Sequence, residues 1–215
     1  MIEDPDYYFT PEQADEILEL SIGEYTNIRT AYWTDVFTLT HNFTMGNITK
    51  KEFAAEFKSL VDNYFRQAAE LAWVDGKALL PLYVDAEDYL LSRVQEEYGN
   101  INALATRLNM LIREGGVDVS AESHGRADGY AKTLDSVFSN VKLLALPNIM
   151  LTFMGLDGTP PEFPCPECKK MKGQRHRAKW WVLHDKVPGS HTGFTCGGWK
   201  CRHMLLDDNG QVYTL

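Results

Sequence analysis

Apolar residues recur every three or four positions over most of the chain up to about Leu144, a spacing that predicts helices rather than strands. The clearest stretch begins at Thr49-Lys50-Lys51-Glu52, a capping box in which a threonine and a glutamate three residues on satisfy each other's backbone N–H groups. Phe53, Phe57, Leu60, Val61, Tyr64, Ala68 and Leu71 then keep one face apolar until Asp75-Gly76, and Pro81 separates this helix from the next. Asp85 opens a long segment with Leu90, Val94, Ile101, Leu104 and Leu108 on its stripe, stopped by Gly115-Gly116. A further helix is expected to begin at Ser120, run through Tyr130, Leu134, Val137, Val141 and Leu144, and stop before Pro147. Upstream, Thr10 caps a helix with Pro11 in its first position, and Ile17, Leu18 and Leu20 open an apolar face. Gly23 predicts a break or weak point. A second periodic segment runs through Ile28, Tyr32, Val36 and Leu39 to a turn at Met45-Gly46-Asn47. These stripes are the core faces of packed helices.

From about Pro147 the pattern changes. Asp157-Gly158-Thr159-Pro160-Pro161 is a turn cluster. After it come short strand-like runs at 179–183, 203–206 and 211–214, the last two joined by the hairpin signal Asp207-Asp208-Asn209-Gly210. So short a piece cannot build a sufficient core unaided, and its cysteines suggest what supplements it.

The chain has four cysteines, all in this segment: Cys165 and Cys168 in FPCPECKKMKG, Cys196 and Cys201 in FTCGGWKCRHM. Two close pairs are how a chain holds a tetrahedral Zn²⁺, because each pair lets one turn deliver two thiolates. Gly173, Gly197 and Gly198 suit the tight turns such a site needs, and Lys169, Lys170, Lys172, Lys200 and Arg202 offset the thiolate charge. His203 is the alternative fourth ligand, giving three cysteines and one histidine, while His176, His184 and His191 read as surface or capping residues. The rival is two disulfides. The start, MIEDPDYYFT, has neither a basic head nor an apolar run, which points to a reducing compartment where paired cysteines favour metal. The expected architecture is mainly α: a helical body over residues 1–150, followed by a small zinc-stapled β-rich C-terminal module over 151–215.

Charge sharpens that division. The net charge is −9, yet residues 151–215 hold nine lysines and arginines against six acids, leaving 1–150 at −12. An acidic total disfavours a protein that mainly coats nucleic acid, and no apolar run is long enough to predict a membrane span.

The sequence carries no complete catalytic motif. Pro164-Cys165-Pro166-Glu167-Cys168 matches half of a zinc deaminase motif, but the upstream histidines, in His41-Asn42-Phe43 and His124-Gly125-Arg126, lack the His-x-Glu that supplies the proton shuttle. His184-Asp185 and His203 only thinly imitate a zinc-stapled nuclease. Glu96-Glu97 and Asp207-Asp208 are sequence neighbours and read as solvated charge. No catalytic and no organic cofactor-binding residue is assigned, and the zinc is structural.

The order Asp157-Gly158-Thr159, Cys165-x2-Cys168, Gly173-Gln174, Pro188, Cys196 and then Cys201-Arg202-His203 resembles the C-terminal signature of phage head morphogenesis proteins of the Mu F-like minor capsid family. Arg126-Ala127-Asp128-Gly129-Tyr130 is similar to the family's arginine-to-tyrosine stretch, and the likeness spans roughly residues 45–206. The family commonly ends in a tight Cys-Arg-Cys, whereas here four residues separate Cys196 from Cys201. The resemblance implies a non-enzymatic minor structural component of a tailed-phage or prophage head. Its expected partners are portal or other capsid proteins and packaged DNA, without a membrane, and its expected location is the virion or the host cytoplasm. A basic surface bearing Trp180, Trp181 and Trp199 is expected to do the docking. The alternatives are a zinc-dependent nuclease or other hydrolase, and a zinc-ribbon nucleic-acid-binding protein.

Overall fold

The structure, a computed structural model, describes residues 11–75, 84–116, 118–146, 148–155, 165–189, 194 and 203–214, with side chains from Gly23 onward except that of Asp75. The described part is mainly helical with one small antiparallel sheet. Four long helices come first: α1 (Pro11–Thr44), α2 (Lys50–Asp75), α3 (Val84–Arg113) and α4 (Val119–Ala145). Then come β1 (Met150–Gly155), α5 (Pro166–Met171), β2 (Arg175–Arg177), α6 (Ala178–Leu183) and β3 (His203–Leu206).

The apolar stripes read from the sequence face inward. Tyr32, Val36 and Phe43 of α1 meet Phe53, Phe57 and Phe65 of α2, with Phe43 and Phe53 stacked at 4.5 Å between centroids. On α3, Ala86, Leu90, Ile101, Ala105 and Leu108 are buried at helical spacing. α4 is the central helix: it packs on α1, α2, α3 and α6, and nearly all of 127–144 is buried. Polar ties cross these interfaces. Asp135 of α4 accepts from Tyr25 Oη at 2.6 Å and Arg29 Nε at 2.7 Å, and Asp35 of α1 accepts from Tyr64 Oη at 2.6 Å.

The capping box at Thr49 forms as read: Glu52 Oε2 accepts from Thr49 N at 2.7 Å, and Thr49 Oγ1 accepts from Glu52 N at 3.2 Å. Three expectations need correction. Gly23 does not break the chain; α1 is one helix of 34 residues, and Gly23 sits in it with open space where a side chain would be. The last long helix begins at Val119 rather than Ser120, because Asp118 is the N-cap, accepting from Ala121 N at 3.0 Å. Residues 179–183 are helix, not strand: Ala178, Trp181 and Val182 are buried, a three-and-four spacing that seats one face against α4.

The sheet order is β2-β1-β3, with both neighbours antiparallel to the central strand. β1 has no counterpart among the strands expected from the sequence. Its Leu151 and Phe153 are buried, alternating with Met150 and Thr152. The 211–214 run contributes only a single bridge, Leu206 to Val212, beyond a turn in which Asp207 Oδ1 accepts from Asn209 N and Gln211 N, each at 2.9 Å. The described part of the C-terminal segment is thus a mixture of short helices and short strands. One buried apolar cluster runs from the four long helices into Leu151, Phe153, Trp181, Val187 and Leu205.

Candidate metal centre

Cys165 is the N-cap of α5 and Cys168 lies in its first turn, so the two sulfurs share one turn of a short helix opened by Pro166. Both are buried, Cys165 at 8% and Cys168 at 2% exposure. The next turn is fixed. Lys172 N donates to Cys168 O at 3.1 Å, and Gly173 takes φ +80°, which glycine adopts without strain. Gly173 N then donates to Phe153 O at 2.8 Å, and Phe153 N donates to Gln174 O at 3.0 Å. The cysteine turn is therefore clamped onto the central strand, at the end where β1 finishes in Gly155.

β3 starts at that same end, with His203 opposite Gly155. The imidazole stacks on Phe153 at 4.9 Å, and two of its atoms lie 3.6 Å from where a Cβ on Gly155 would sit. Burial holds the His203 pKa below the ordinary histidine value, and the positive charge of Lys172 adds to the shift. Lys172, the residue capping α5, thus links the cysteine turn electrostatically to the start of β3.

The Cys165 thiol donates to Glu167 Oε2 at 3.0 Å. Two buried thiols on one clamped turn fit half of a tetrahedral zinc site. Among the described residues, no group of three or more His, Cys, Asp or Glu side chains gathers to hold a metal ion, so Cys165, Cys168 and His203 do not make such a set by themselves. Cys196 and Cys201, the other two predicted ligands, lie outside the described residues.

The chain matches no family model, no curated protein and no solved structure.

Of the tryptophans assigned to a docking surface, Trp181 is wholly buried and does not belong there; its Nε1 donates to His176 O at 3.3 Å and its ring lies 5.8 Å from that of Phe153. Trp180 is half-buried between His176 and His184, whose rings stack on it at 3.6 and 4.2 Å. Trp199 and His191 lie outside the described residues. His184 caps α6, its Nδ1 lying 2.9 Å from Trp180 O, and Asp185 comes next with φ 52° as the turn residue. Glu97 also departs from its expected place: it is buried at 5% exposure and paired with Arg93 at 3.0 Å, while Glu96 remains half exposed. Gly155 and Phe153 join the candidate centre without having been singled out for it in the sequence, whereas Lys172 was expected beside the cysteines. For Gly155 the sequence does carry a signal, a small residue closing the apolar run LTFMG.

Proposed function

We propose that this chain is a non-enzymatic structural component of a tailed-phage or prophage head, acting in head assembly or at the portal. Its C-terminal module is held by one structural zinc on Cys165, Cys168, Cys196 and Cys201. The observation that carries the metal part is the burial of Cys165 and Cys168 on a single turn clamped at the Gly155 end of the sheet, where β3 begins. Cys201 precedes by two residues in the sequence the His203 that opens the strand pairing with β1.

The head role rests on the order of the cysteine-rich segment and on charge. The acidic helices and the exposed Lys169, Lys170 and Lys172 beside the cysteine turn present unlike surfaces. Such a chain suits docking between two different proteins, or between a protein and packaged DNA, better than it suits reading DNA sequence. Among the described residues no helix is long and apolar enough to cross a membrane.

Co-expression with portal and capsid proteins, followed by sedimentation, tests the role: the chain is expected in the heavy fractions with them. A chain that stays light, or one that cuts DNA in a metal-dependent way lost on His184→Ala, would instead favour a nuclease.

A further inference from the structure

A groove of about 370 Å³ runs between α1 and α2. Leu39 of α1 and Leu60 of α2 give it an apolar lining; Leu39 is buried and Leu60 half-buried. Asp35 and Glu56 add one carboxylate from each wall, and the other side chains that line it are neutral. The groove thus carries two negative charges and no positive one. Other carboxylates of the long helices are matched: Glu87 by Arg66, Glu122 by Arg126 and Asp135 by Arg29. Among the described residues neither Asp35 nor Glu56 is ion-paired. Asp35 is held in place all the same, because its Oδ2 accepts from Tyr64 Oη at 2.6 Å.

The chain also carries the complement of this groove. Lys169 and Lys170 of α5 and the adjoining Lys172 are exposed, and among the described residues none of them is ion-paired. Nearby cations are already matched, Arg175 by Asp208 and Lys179 by Asp85. Within one copy the two surfaces do not meet, since no lysine lines the groove. A lysine suits both of its features: the alkyl stem covers apolar surface while the ammonium reaches a carboxylate.

We propose that the α1–α2 groove of one copy receives the Lys169–Lys170 turn of a second copy of this chain. Each copy has a net charge of −9, so two copies repel overall. Salt confines that repulsion to about 8 Å at physiological ionic strength, so the charges that face each other at the contact decide the outcome. The surfaces that meet are different, so the contact is head-to-tail and can repeat along a row of copies, closing into a ring where the rotation allows. Exposed ion pairs are individually weak, and the association is weak with them; it suits copies that a larger assembly holds close together. The inference goes beyond the head role and stands without it.

Light scattering from the full-length protein at concentrations up to about 1 mM, where a contact of millimolar strength is populated, tests this. The average mass is expected to rise with concentration at low salt and to return to that of a monomer at high salt. Glu56→Lys and Lys170→Glu, both at exposed positions, should each weaken association by about tenfold or more while circular dichroism stays unchanged. An equimolar mixture of the two variants should regain it, because one supplies intact lysines and the other an intact groove. A wild type that is monomeric throughout, association unchanged in both variants, or a mixture no heavier than its components overturns the proposal. With a monomeric wild type, binding of polylysine lost in Glu56→Lys reassigns the groove to a different basic protein. Binding of duplex DNA lost in Lys170→Glu likewise reassigns the lysines to nucleic acid.

Discussion

Trp181 and Glu97 show how far a residue's surroundings can depart from its sequence context. In KWWVL, Trp180 is half-buried and Leu183 exposed, yet Trp181 between them is wholly buried, its ring 5.8 Å from that of Phe153 of β1. Trp181→Ala is therefore expected to cost about 3–5 kcal/mol, while Trp180→Ala, at a half-buried position, costs clearly less. Chemical denaturation of the two variants checks the order. Beside Glu96 in sequence, Glu97 reads as solvated charge, and only the packing of α3 reveals that one faces inward and the other outward. Its folded pKa is raised by burial above its unfolded value of about 4.3. Its contribution to stability is then fully present below about pH 4.3 and is lost as pH rises through the folded value. Glu97→Gln should remove that segment of the stability–pH curve, as tracked by urea denaturation between acid and neutral pH. Cys165 and Cys168 are legible as a pair for the opposite reason: close spacing in sequence forces close spacing in space, whereas burial of a charge depends on what another helix brings to it.

At the scale of elements, the long stripes are legible because many turns of consistent periodicity outweigh any single residue. Gly23 illustrates this, since its local cost does not interrupt α1. Short runs carry no such redundancy. Five residues at 179–183 fit either period, and contact with α4 decides for helix. β1 is hidden in the sequence because its apolar run is nearly continuous with the end of α4, and the Pro147-Asn148 break between them does not distinguish a strand from a loop. The start of α4 gives a direct check. Asp118→Ala should lower stability by about 1 kcal/mol through loss of the cap, whereas Ser120→Ala should leave it nearly unchanged. Thermal unfolding of both variants separates the two assignments.

For the whole molecule, the apolar core passes from α4 through α6 into the sheet, and Lys179 of α6 pairs with Asp85 of α3. A fragment ending near Asn148 should keep strong helical circular dichroism, because α1, α2, α3 and α4 bury their stripes on one another. It should melt at a lower temperature than the full chain, since it loses the cover supplied by Leu151, Trp181 and Val182. A random coil would show that the helices depend on the C-terminal segment. That segment is in turn proposed to depend on metal, as binding energy is folding energy in so small a unit. Zinc X-ray absorption on the purified protein, together with elemental analysis, tests this most directly. One zinc per chain with four sulfur neighbours at about 2.3 Å is expected, unchanged by His203→Ala and lost in Cys165→Ser or Cys168→Ser. A metal-free protein whose four cysteines form two disulfides would contradict the account.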